Sequence, residues 1–229
     1  MPPPTVESST FPHHRGTISP AKYYGKNDTE IGNDPFKPAG AVLAFKSPDS
    51  AFKRVRSGLP DWVLFKRGDL WSGTVTPKNG RSADEPSLIA GYGADGDMPL
   101  FTSVSGIRIC CKSFRYIALS GLAFYASQRD RPTNRTLGWY MEMNDWDGGI
   151  VAGNLLLHDT SAVVNNIYGM KLIGQSRNVT ITGNIIHGLS ANQPLVIFEE
   201  TSDKQSIVFT DNELQVPDLT VRLVSIDAV

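Results

Sequence analysis

Short apolar segments recur along this chain at a period of about 30 residues, and that repeat constrains the fold more than any other feature. Two ladders carry it. The first is built from segments that open on glycine and continue apolar: GIRIC from Gly106, GWYMEM from Gly138 and GMKLI from Gly169, with PLVIFE from Pro194 following at a somewhat shorter interval. The second runs YIALSGL at Gly121, GIVAGNL at Gly153, NVTITGNI at Gly183 and SIVFTDNE at Asp211, and keeps nearly the same period. A unit of this length that holds two or three strands of four to six residues cannot bury its apolar face alone, so successive units must stack into a solenoid.

The rest of the sequence agrees. With 21 Gly and 15 Pro among 229 residues the chain must turn often, which suits many short strands and not a helical bundle. A propeller would need a period of roughly 40 or more with hairpin turns at fixed places, and the leucine-rich LxxLxL signature is missing. The expected fold is therefore all-β, a parallel β-helix of about six coils. In stacked coils inward Ile, Val, Leu and Met form columns, and Asn154, Asn184 and Asn212 are expected to bond to one another at a corner, where Asn tolerates the left-handed conformation. Residues 1–45, rich in Pro, Gly, Asn and Asp, are expected to be an irregular lead-in or cap, and 46–229 the solenoid. The run Trp62 to Phe65, closed by Arg67-Gly68-Asp69, reads as a strand and tight turn.

Charge and cysteine content exclude several classes. A net charge of −1 argues against a dedicated nucleic-acid binder, which needs a basic surplus to neutralise phosphates. The distribution is uneven: Arg108, Lys112, Arg115, Arg129, Arg131 and Arg135 face only Asp130 in the middle, while acids dominate from Leu195 on. A basic middle suits an acidic polymer, and equally an ordinary solvated surface. The cysteines, Cys110 and Cys111, are neighbours that a strand would point to opposite faces, so no disulfide framework is expected. No basic leader followed by an apolar stretch opens the chain, and no apolar run reaches membrane-spanning length. The closing TVRLVSIDAV reads as an unfinished coil, so catalytic coils beyond it, or self-association through it, are expectations.

YGMKLIGQSRNVTITGNIIHGLS, residues 168–190, resembles a coil of the right-handed β-helix, pectin-lyase-like superfamily; DWVLFKRGDLWSG, residues 61–73, resembles its early coils, and IGNDPFKP, residues 31–38, the lead-in before them. The resemblance spans most of residues 31–215 and is specific for fold but not for function, because the repeat reports stacking geometry and that superfamily hosts lyases, hydrolases, epimerases, tailspikes and adhesins. It implies a polysaccharide groove along the first strand of each coil, an extracellular or periplasmic location, and calcium as a possible cofactor.

Aligning the first-ladder glycines puts Ile107, Ile109, Trp139, Met141, Met170 and Leu172 inward and Arg108, Tyr140, Glu142 and Lys171 outward, with Arg108, Tyr140 and Lys171 in one column and Glu142 a pleat away. These types suit anionic-sugar chemistry: Arg108 to hold a uronate carboxylate, Tyr140 to stack on a ring, Lys171 as the base of a β-elimination. Glu142, Asp145 and Asp147 are the candidate calcium ligands. The plainer reading of Glu142 and Lys171 is an exposed ion pair between coils. Asp145 and Asp147, in MNDWDGG, are also the nearest thing to a hydrolase pair, although Asp and Gly there are turn formers. His158 and His187, close to one period apart and in similar contexts, are candidate substrate contacts if they stack in neighbouring coils. The expected function is that of a polysaccharide-acting enzyme, a lyase on an acidic polymer before a hydrolase. The rivals are a non-catalytic carbohydrate-binding or surface-attachment module and an inactive fragment. Polysaccharide is the expected partner, and neither nucleic acid nor membrane is.

Overall fold

The computed structural model describes residues 16–18, 43–73, 75–102, 113–125, 138–157, 167–187, 195–198, 206–215 and 224–226. They form an all-β parallel solenoid. Its first sheet carries β3 (Trp62–Lys66), β5 (Ser87–Tyr92), β7 (Arg115–Ser120), β10 (Asp147–Ala152), β13 (Arg177–Thr182) and β16 (Ile207–Thr210), all parallel. The second carries β4 (Leu70–Ser72), β6 (Leu100–Thr102), β8 (Ala123–Tyr125), β11 (Leu155–Leu157), β14 (Ile185–His187) and β17 (Glu213–Gln215). The third has β9 (Gly138–Asn144), β12 (Ile167–Ile173), β15 (Val196–Phe198) and β18 (Val224–Ile226).

Strand alternation sends one column of side chains inward from each face. Val63, Ile89, Leu119, Val151, Ile181 and Phe209 lie in register on the first sheet. Trp71, Phe101, Phe124, Leu156, Ile186 and Leu214 do so on the second, and Met141, Met170, Val196 and Val224 on the third. From Val63 to Ile181 the first column is essentially solvent-free. Each such aliphatic side chain contributes about 1.5–3 kcal/mol of burial, so the stack, not any single coil, holds the fold.

The coil count differs from expectation. Among the described residues three turns, β7–β9, β10–β12 and β13–β15, carry strands on all three faces and close onto the next rung, which makes about three coils where about six were expected. Before them, the stretch from Val75 to Pro86 follows β4 as turns and bends instead of a third-face strand, because Pro77, Gly80 and Pro86 interrupt it. The first-ladder segment at Gly106 lies outside the described residues.

Two short strands are described within the irregular lead-in. β1 (Gly16–Ile18) and β2 (Leu43–Phe45) pair antiparallel, and β1 also pairs antiparallel with β3, covering that open edge. A helical turn, α1 (Pro48–Phe52), follows. Ser47 caps it by accepting the Ser50 amide at 3.3 Å, with Pro48 in its first turn and Ala51 and Phe52 buried.

The asparagine ladder forms, but the left-handed conformation falls on the residue before each asparagine and not on the asparagine itself. Asn154 and Asn184 are buried, and the chain of side-chain bonds runs Leu122 amide to Asn154 (3.2 Å), Asn154 to Asn184 (3.0 Å) and Asn184 to Asn212 (2.8 Å). Just before it, Gly121, Gly153, Gly183 and Asp211 all turn with φ between 55° and 64°.

Candidate functional site

The first-ladder register needs correction. Tyr168 stands opposite Trp139 and Met170 opposite Met141, so Gly169 meets Tyr140 and not Gly138, a shift of two positions from the glycine alignment. Gly169 has a different reason to be glycine: a Cβ there would lie 2.4 Å from Ile186 Cγ2 and 2.9 Å from the Leu195 carbonyl, so it answers a close approach and does not open the repeat. An even shift keeps inside and outside as expected, and Met141, Met143, Met170 and Leu172 are all fully buried. Lys171, however, pairs directly with Glu142, not with Tyr140. Glu142 is largely buried and Lys171 partly so. Arg108 and His158 lie outside the described residues. His187 sits at the level of Leu157 and Gln215, since Leu156 pairs with Ile186. Burial holds its imidazole below the ordinary 6.5, with the Glu213 carboxylate pulling the other way.

What the structure does assemble is a shallow cavity of about 430 Å³ at the corner between the third and first sheets, lined by Ser113, Arg115, Asp145, Asp147, Gln175 and Arg177. Each of three successive rungs contributes two of these residues. Register places Asp147 directly between Arg115 and Arg177. Arg177 Nη2 donates to Asp147 Oδ2 at 2.8 Å and Asn178 Nδ2 to Oδ1 at 2.9 Å. These two bonds, with the charge of Arg115 beyond, hold the Asp147 carboxyl down at about 2. It is an anion at any physiological pH and not a proton donor. Asp145 turns the chain at φ 53° and accepts the Gln175 amide at 2.8 Å, the turn role its neighbourhood suggested.

The residues after the column turn in concert. Tyr116, Gly148 and Asn178 share one level, all at positive φ (56°, 78° and 55°). For an aromatic residue that conformation costs on the order of 1–3 kcal/mol and persists only where the surroundings impose it. The Tyr116 ring reaches across to the next rung: a Cβ on Gly148 would meet it at 2.8 and 3.1 Å. The partly exposed phenol therefore lies over Gly148, beside Asp147, with the exposed Ile150 a little further along the same strand.

Glu142, Asp145 and Asp147 do not meet as a calcium ligand set: both oxygens of Asp147 are engaged, and among the described residues no three His, Cys, Asp or Glu side chains are grouped to hold a metal. Arg177, Gln175 and Tyr116 escaped the sequence reading. The signal was present in Arg115, Asp147 and Arg177, which recur at the period of the second ladder. Among the described residues no helix is long and apolar enough to cross a membrane.

Comparison with known protein families, curated proteins and solved structures finds no match. The β-helix architecture and the corner cavity are thus the grounds for a functional reading.

Proposed function

We propose that this solenoid binds and cleaves an acidic, uronate-containing polysaccharide by β-elimination. The observation that carries the reading is the polar cavity that spans three rungs, with Arg115 and Arg177 two rungs apart. Guanidinium groups match carboxylates in geometry as well as charge, and a surface that crosses the coils presents a polymer with side chains from one rung after another. The resemblance of residues 168–190 to the pectin-lyase-like superfamily supports the same reading.

Elimination needs a base for the C5 proton and a positive group for the enolate that follows. Lys171, outward on the third sheet beside Glu142, has the chemistry of the base. Its amine takes the C5 proton, the electron pair closes a C4–C5 double bond, and the C4–O bond to the leaving sugar breaks with that oxygen taking up a proton. An arginine on the carboxylate stabilises the charge between. No step passes through calcium. Such polymers lie outside the cell, which favours an extracellular or periplasmic location. The engagement of Asp147 by Arg177 and Asn178 favours a second reading, a binding module without turnover.

The test is to follow the ultraviolet absorbance of unsaturated uronate on a panel of acidic polymers, together with retardation of the protein in gels containing each polymer. Rising absorbance that disappears in Lys171→Ala supports the lyase. Retardation without absorbance selects the binding module, and neither signal on any polymer overturns both.

A further inference from the structure

We infer that the corner cavity selects a polymer in which charged uronates alternate with uncharged sugars, over one in which every sugar carries a carboxylate. The inference rests on the reading of that cavity as a polysaccharide site and goes on to name the repeat it takes. The cavity is banded by rung: Ser113 and Arg115 on the first, Asp145 and Asp147 on the second, Gln175 and Arg177 on the third. Parallel rungs stand about 4.8 Å apart, so the two arginine levels are about 9.6 Å apart, and an extended polysaccharide laid across the coils places roughly one sugar on each rung. The formal charges by rung are positive, doubly negative, positive, with the Arg177–Asp147 salt bridge joining the second rung to the third. Carboxylates on the first and third sugars find guanidinium partners, whereas one on the middle sugar faces two carboxylates.

The middle rung also offers what an uncharged sugar needs. The Tyr116 ring lies over Gly148, on the rung of Asp147, and the residue is partly exposed there. Sugar C–H faces pack on such rings. Only glycine at 148 leaves room for the ring, which joins a neutral stacking platform to the same level as the two acids.

The full chain would be titrated by affinity electrophoresis, at fixed ionic strength and equal carboxylate concentration, with hyaluronan, where glucuronate alternates with an uncharged amino sugar, and with polygalacturonate, where every sugar is charged. Hyaluronan should bind about tenfold more tightly, one like-charge contact being worth roughly a factor of ten. Asp147→Asn should bring the ratio of the two affinities towards one. The ratio is the readout, because freeing Arg177 strengthens both. Tyr116→Gly removes the ring while relieving its left-handed backbone, so it should keep the melting temperature and weaken hyaluronan by about tenfold. Equal binding of both polymers, or a ratio unmoved by Asp147→Asn, overturns the alternation and leaves the acidic-polymer reading standing. Binding of neither, in this panel or the wider one, overturns both.

Discussion

Asn184 Oδ1 accepts from both the backbone amide (2.9 Å) and Nδ2 (3.0 Å) of Asn154, one coil earlier. Its own Nδ2 donates to Asn212 and to the carbonyls of Val151 and Thr182. The side chain is fully buried, so removing it strands several polar groups of the neighbouring coils without water. Asn184→Ala is expected to destabilise the protein by about 2–4 kcal/mol in chemical denaturation. Asn212→Ala, at a partly exposed end of the same ladder, should cost clearly less.

Asp147 supplies a pH dependence. Its carboxyl titrates near 2 in the fold against 3.8 ordinarily, so its ionised form contributes stability that is complete above 3.8 and lost as pH falls towards 2. Thermal melts of the protein and of Asp147→Asn should therefore differ at neutral pH and converge as pH falls through that window. A constant difference down to the bottom of that window would show that the Arg177 pair does not hold the charge.

His187 acts in a different range. Burial favours its neutral form, so just below the ordinary 6.5 the unfolded chain binds a proton that the folded chain does not, and stability falls as pH drops through that region. His187→Gln should flatten the slope of melting temperature against pH there. An unchanged slope would assign it to other groups.

Gly169→Ala is expected to cost about 1–3 kcal/mol, since its Cβ has to displace Ile186 Cγ2 and the Leu195 carbonyl. Combining it with Ile186→Ala, which deletes that methyl, should give a double mutant more stable than the sum of the single losses predicts. Strict additivity would place the clash at the carbonyl alone.

The repeat and the alternation within each segment determined the parallel β-solenoid, the inward sets around Met141, Val151 and Ile181, and the asparagine corner, because all of these follow from local pattern and stacking alone. Two things were decided only in three dimensions. The first is the register of the third sheet. A shift by two positions leaves every side chain on its expected face, so alternation cannot detect it, and Gly169 marks a close approach to Ile186 and Leu195 and not the start of a repeat. The second is the cavity. Arg115, Asp147 and Arg177 share the parity of the buried Ile117, Gly149 and Val179, and alternation would send them inward. The left-handed turns at Tyr116, Gly148 and Asn178 break that alternation at the corner and leave the three charges on the outside.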